Sequence, residues 1–208
     1  MKYIDLQSWP RRSHFEFFRS FHDPFLDICV RVEVTGLRNR ARAAGESIFA
    51  AMLYESMAAI NAVPELRQRI RGDQVVEHAR VHPTFTVLNE AEIFNFCTGE
   101  FQEDRAAFFA DTATRAAATK ALSALDAGHD DARDDLVYVT SLPWLDFQSI
   151  GHAYAARAGD SNVRLAWGRI VVDDARRASV SVQLTAHHGL VDGLHAARFF
   201  KALEERCT

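Results

Sequence analysis

The chain has 208 residues, 48% of them hydrophobic and 25% charged, which suits one domain with a sizeable core spanning residues 1–208 and leaves two full domains cramped. Its formal net charge of -4 supplies no basic field for nucleic acid, and no Lys/Arg stripe interleaved with aromatics occurs. Residues 1–5 hold no apolar targeting core and no apolar run reaches membrane-spanning length; Cys29, Cys97 and Cys207 lack C-x-x-C spacing, as reduced thiols do, so the expectation is a cytoplasmic protein without a membrane partner.

In chain order, residues 3–18 begin extended and turn into a short helix, with Ser8 as its expected cap and Pro10 in its first turn. Arg11 and Arg12 read, from composition alone, as solvated charges. Residues 28–34 alternate Ile28, Val30, Val32 and Val34 against Cys29, Arg31 and Glu33, a half-buried strand ended by Thr35-Gly36. Residues 38–45 are polar and read as a surface segment. Phe49, Met52, Leu53, Met57 and Ile60 then recur at helical spacing, with small alanines between them for close packing on a sheet. Arg67, Arg69 and Arg71 form a basic stub that reads as a solvated face. Gly72-Asp73 marks a turn between short strands, and 81–87 is a strand candidate followed by a weakly patterned stretch holding Phe94 and Phe96.

Residues 101–125 predict a long alanine-rich helix with Phe108, Phe109, Leu122 and Leu125 on a thin apolar face. Residues 127–135 form an acidic, glycine-containing loop, too short and central to divide domains. Strand runs follow at 136–141, 163–167 and 169–172, and residues 173–177 turn back into the last strand as a hairpin. Irregular alternation of strand and helix, with hairpin pairing near the end, predicts an α/β chain of the two-layer α+β kind: a mixed sheet with helices packed on one face.

That last strand organises the rest. Val180, Val182, Leu184, Ala186 and His188 share one face, and Ser181, Gln183, Thr185 and His187 the other. A histidine carried to the buried side at a strand end is partly desolvated, which favours the neutral form able to accept a proton. Asp192-Gly193 ends the loop and opens a helix over 194–205 with Ala196, Phe199 and Leu203 inward. His188, Asp192 and His195 would form a metal set on one continuous helix, but Gly189 and Gly193 oppose that helix, so no metal is expected. Without further context, a histidine pair at a strand end also reads as a hydrogen-bonded core feature, and a lone Ser149 as a turn hydroxyl.

The run Ala186-His187-His188-Gly189-Leu190-Val191-Asp192-Gly193-Leu194-His195-Ala196-Ala197-Arg198-Phe199 resembles the active-site signature of the chloramphenicol acetyltransferases. Its H-x-x-x-D-G core alone is shared with dihydrolipoamide acyltransferases and peptide-synthetase condensation domains. Three more segments carry the same resemblance: Trp9 to Phe18 (W-x-R-x-x-H-F-E-x-F), Val81 to Val87 (V-x-P-x-F-T-V) and Leu142 to Ser149 (L-P-W-x-x-F-x-S).

The resemblance implies the coenzyme A-dependent acyltransferase fold, a homotrimer with sites between subunits, and direct acetyl transfer from acetyl-coenzyme A to a hydroxyl of chloramphenicol or a related small molecule. It implies His188 as general base, Ser149 as donor to the oxyanion, and an Arg11–Asp192 pair holding the catalytic loop. Phe18, Leu26, Phe85 and Trp167 are the expected substrate-binding residues. The chain departs from the family at 22–26, at the acidic loop 127–135 and at Ala166-Trp167, where the acceptor would bind. Two alternatives therefore stand: a different hydroxyl acceptor, or a non-catalytic trimeric ligand-binding protein of the same fold. A dihydrolipoamide-type enzyme is disfavoured because no lipoyl domain or flexible linker is visible in the sequence.

Overall fold

A computed structural model describes residues 1–125, 133–153 and 159–208. The elements are β1 (Lys2–Tyr3), α1 (Arg12–Phe18), β2 (Phe25–Glu33), α2 (Thr35–Ala44), α3 (Ile48–Asn61), a 3-10 turn (Pro64–Arg67), β3 (Gln68–Arg71), β4 (Gln74–Glu77), β5 (His82–Leu88) and β6 (Phe94–Thr98). The second half adds α4 (Arg105–Lys120), β7 (Leu136–Ser141), β8 (Val163–Trp167), β9 (Val171–Val172), β10 (Ala178–His187) and α5 (Gly193–Cys207).

Among the described residues the main sheet runs β2-β10-β8-β7-β5-β6, with β9 paired to β10. β5, β7 and β8 are parallel to one another, whereas β2, β8 and β9 pair antiparallel with β10, and β6 with β5, so the sheet is mixed as expected. β1, β4 and β3 form a separate small sheet.

Register explains the layering. Val30, Val32, Val180, Val182, Leu165, Trp167, Val139 and Phe85 fall on one sheet face, where Met52, Met57, Phe108, Phe199 and Leu203 of the helices meet them in one core. The opposite face carries Asp27, Arg31, Ser181, Gln183, Thr185, His187 and Arg164, and is polar. Ser181, Gln183, Thr185 and His187 are nonetheless buried, because the chain over 142–153 crosses that face. Gln183 is its clasp, accepting from the Ile150 N–H at 2.8 Å and donating to the Ile150 carbonyl.

Several sequence expectations fail locally. Ser8 does not cap α1: its hydroxyl donates to Asp5, and Arg11 holds the N-cap position without a side-chain bond. The polar stretch 38–45 lies in α2, a true helix that buries Leu37 and Ala41 and ends on left-handed Gly45. Phe94 and Phe96 belong to β6. Of the acidic loop, 127–132 lie outside the described residues, while Asp134 and Asp135 hold Arg71 and Arg133.

Arg69 overturns the solvated-face reading of the basic stub. It is fully buried and donates to the carbonyls of Leu66, Gln68 and Leu136 and to Asn162 Oδ1, at 2.7–3.0 Å. Irregular backbone around the 3-10 turn leaves carbonyls that no ladder satisfies, and the planar guanidinium supplies the donors. Burial pushes its pKa down to about 10, which leaves it charged at neutral pH.

Candidate active site

β10 ends at His187, so strand alternation stops one residue before His188. His188 opens a tight turn, and Leu190 and Val191 both donate back to the His187 carbonyl at 2.9 and 3.0 Å. His188 N–H donates to the Pro24 carbonyl at 2.8 Å, tying the turn to the start of β2. Gly189 is required here by close approach: a Cβ would come within 3.0 Å of the His187 ring and 3.2 Å of Phe15 Cα. Its N–H donates to His187 Nδ1 at 3.0 Å. His187 is therefore a hydrogen-bonded core histidine, and burial pushes its pKa down to about 4.

His188 is half-buried and stacked on Phe18, with ring centroids 4.2 Å apart and planes at 26°. Its Nδ1 lies 3.0 Å from the Val191 carbonyl oxygen. A carbonyl only accepts, so Nδ1 carries a proton, and in the neutral ring the lone pair is on Nε2. That is the tautomer a general base needs, fixed by backbone rather than by a carboxylate.

Asp192 is the N-cap of α5, accepting from the Leu194 N–H at 3.0 Å, and pairs with Arg11 Nη1 at 2.5 Å. Arg11 Nη2 also donates to the His188 carbonyl at 3.2 Å, so one guanidinium clamps both ends of the turn. Burial opposes ionisation of Asp192, but Arg11, His195 and the Leu194 N–H outweigh it and hold this carboxyl below the usual range. Because α5 starts only at Gly193, His188, Asp192 and His195 do not share a helix, and among the described residues no group of three His, Cys, Asp or Glu side chains is arranged to hold a metal ion.

The structure thus brings together His188, Arg11, Asp192 and Phe18. Leu26 sits opposite Ala186 on the helix side of the sheet, two register positions short of His188. Phe85 and Trp167 are elsewhere: they line an apolar cavity of about 530 Å³ with Phe49, Met52, Trp144 and Arg169. Trp167 stands opposite Val182, six strand positions from His188, about 20 Å by strand rise. Ser149 is exposed and its neighbour Ile150 is held by Gln183, five positions back from His188, so within one chain Ser149 does not reach that imidazole.

Residues 1–204 match the sequence profile described as chloramphenicol acetyltransferase. The chain belongs to the chloramphenicol acetyltransferase family. It is 26% identical over 214 residues to chloramphenicol acetyltransferase 3 of Escherichia coli (99% of this chain, 96% of the relative). It is 30% identical over 207 residues to the chloramphenicol acetyltransferase of Streptomyces acrimycini (97% and 91%). A solved chloramphenicol acetyltransferase superposes with a TM-score of 0.86 at 29% identity, covering 100% of this chain and 99% of that one. A probable dihydrolipoamide acetyltransferase from Listeria monocytogenes 4b F2365 superposes at 0.65 and 20% identity, covering 100% and 94%, and shares the fold. The family is one of acyltransferase enzymes, and the mixed sheet with its helix layer is the coenzyme A-dependent acyltransferase fold.

Sequence reasoning weighed His195 only as a metal ligand, and missed Glu65. His195 Nδ1 accepts the Asp192 N–H at 3.1 Å, completing a capping box, and its Nε2 lies 3.5 Å from Glu65 Oε1. The spacing D-x-x-H was a readable signal, since the third helical position is where a capping box places its second side chain. Glu65 had none, because only the fold carries the 3-10 turn to the start of α5.

Proposed function

We propose that this protein is an acetyl-coenzyme A-dependent O-acetyltransferase acting on a hydroxyl of chloramphenicol or a related small alcohol. The observation that carries the reading is His188 Nδ1 at 3.0 Å from the Val191 carbonyl, in a turn clamped by Arg11, which presents Nε2 as a proton acceptor. In the proposed reaction Nε2 takes the hydroxyl proton as the oxygen bonds to the thioester carbon, worth about a hundred- to ten-thousandfold in rate. The Ser149 hydroxyl donates to the tetrahedral oxyanion. Collapse breaks the C–S bond, the thiolate recovers the proton from His188, and the O-acetyl ester and free coenzyme A leave. No acyl-enzyme forms.

We assign the acetyl-coenzyme A arm to the apolar cavity lined by Phe85 and Trp167, with Arg169 available to a phosphate group. The separation of that cavity and of Ser149 from His188 within one chain supports a homotrimer in which the acyl-donor side of one subunit meets His188 of its neighbour. The free, non-C-x-x-C cysteines support a cytoplasmic enzyme.

A second reading, a different hydroxyl acceptor for the same chemistry, is favoured by the aromatic surface beside His188. Phe17, Phe18 and Phe21 pack with centroids 4.9–5.2 Å apart, and Phe17 stays 60% exposed. The test is release of coenzyme A thiol from acetyl-coenzyme A with chloramphenicol and a panel of aromatic and aliphatic alcohols. Turnover with chloramphenicol supports the first reading, turnover with other alcohols alone supports the second, and no release with any acceptor overturns both.

A further inference from the structure

The Val191–Asp192 peptide group is hydrogen-bonded at both ends to an imidazole. Its carbonyl oxygen accepts from His188 Nδ1 at 3.0 Å, and its N–H donates to His195 Nδ1 at 3.1 Å. Since His195 Nδ1 accepts there, the His195 proton is on Nε2, which faces Glu65 Oε1 at 3.5 Å. The other Glu65 oxygen is buried without a hydrogen-bond partner among the described residues. A hydroxyl-activating histidine is commonly oriented by a carboxylate, but Asp192, the nearest carboxylate in sequence, is engaged by Arg11 and the α5 N-terminus.

We infer that Glu65 and His195 are the positioning arm of His188, acting through the single peptide group between Val191 and Asp192. This inference rests on the reading of His188 as the base. The physical link is polarisation. A carboxylate beside Nε2 makes Nδ1 of His195 a stronger acceptor, which draws the Asp192 N–H, which enriches the Val191 carbonyl oxygen and strengthens its hold on the His188 Nδ1–H. The lone pair on His188 Nε2 gains basicity and the ring keeps one orientation. No bond breaks in this arm and no proton crosses it.

The charged surroundings are consistent with a neutral His195. Burial lowers its pKa, Glu65 and Asp192 act to raise it, and Arg11 and Arg198 act to lower it, with lowering the net result. Asp192 Oδ1 also lies 3.0 Å from Nδ1, a bonding contact only if that nitrogen were protonated. Among the described residues, His187, the Arg11 guanidinium on its carbonyl and the Phe18 ring face His188 itself.

The experiment uses Glu65→Gln, which keeps shape and removes charge, and His195→Gln, whose amide oxygen reaches back to the Asp192 N–H and so preserves the capping box while losing the link to Glu65. Each variant is expected to lower kcat about tenfold with KM within about twofold, the lower end of what partners that orient a working histidine contribute. Each should move the acid limb of the kcat/KM profile to lower pH, and the double variant should be no worse than His195→Gln alone. In the full-length protein, NMR titration of the His188 ring Cε1–H should show the same downward move without any substrate. Melting temperature reports whether the variants fold. A folded His195→Gln protein with the wild-type kcat, pH profile and His188 titration overturns the inference and makes the pair a helix cap. The reading of His188 as base is tested separately by His188→Ala, which fails if transfer persists.

Discussion

Arg11 carries one charge into two bonds, to Asp192 and to the His188 carbonyl, and its own side chain is mostly buried. Removing it leaves Asp192 facing a half-dry environment without its cation, which costs about 2 kcal/mol. Arg11→Ala is expected to lower the melting temperature and kcat together; a variant with wild-type values for both would show the clamp to be idle. His187 is the other residue with a readable energetic signature. Its folded pKa of about 4 lies below the ordinary value of 6.5, so the folded state binds fewer protons than the unfolded one as pH falls through that window. The stability this represents, about 3 kcal/mol, is present above pH 6.5 and is lost on acidification toward 4. His187→Asn keeps an acceptor for the Gly189 N–H but does not titrate there. Thermal melts of the variant should therefore lose less stability between pH 6.5 and 4.5 than the wild type, and parallel slopes would refute the assignment.

At the level of elements, the turn between β10 and α5 does its positioning with backbone. His188 is held by the Pro24 and Val191 carbonyls, and the turn itself by the His187 carbonyl. Two glycines flank this turn in sequence, but only one is there for space. Gly189→Ala drives a Cβ into the His187 ring and the Phe15 backbone, with an expected cost of about 1–3 kcal/mol and a loss of activity as the turn shifts. Gly193→Ala meets nothing within 4 Å at the first position of α5 and should stay within about 0.5 kcal/mol of wild type with normal turnover. Urea melts and initial rates on the two proteins decide the matter; equal damage would mean that conformation, not contact, governs both sites. The elements that were hard to read share a cause. α2 carries Arg38, Asn39, Arg40 and Arg42 in ten residues and buries only Leu37 and Ala41, in the common core, and β6 has strand character only because β5 lies beside it. Neither neighbour is visible in a local window of sequence.

For the whole molecule, the decisive fact is separation. His188 lies at one end of β10, while Ser149 and the cavity holding Phe85 and Trp167 are fixed well back along the same sheet. If the working site forms between subunits, chains carrying His188→Ala and chains carrying Ser149→Ala are each inactive alone but complement one another when co-assembled. Random mixing at equal amounts should then restore about one quarter of the wild-type sites. Hybrids that stay as inactive as either parent would show that the two residues act from a single chain.

The sequence by itself determined the parts whose chemistry is local: the β10 strand from its alternation, the turn from its glycines, α3 from its apolar period, and the family from four motifs that keep their own spacing. The Arg11–Asp192 pair, 181 residues apart, was legible only through the resemblance, yet the fold makes that bond. Tertiary structure alone decided that His187 rather than His188 is the buried core histidine, that Arg69 is sealed under carbonyls, and that Glu65 stands beside His195. Such contacts depend on which distant backbone groups remain unsatisfied after the sheet and helices have formed, and a linear pattern holds no record of them.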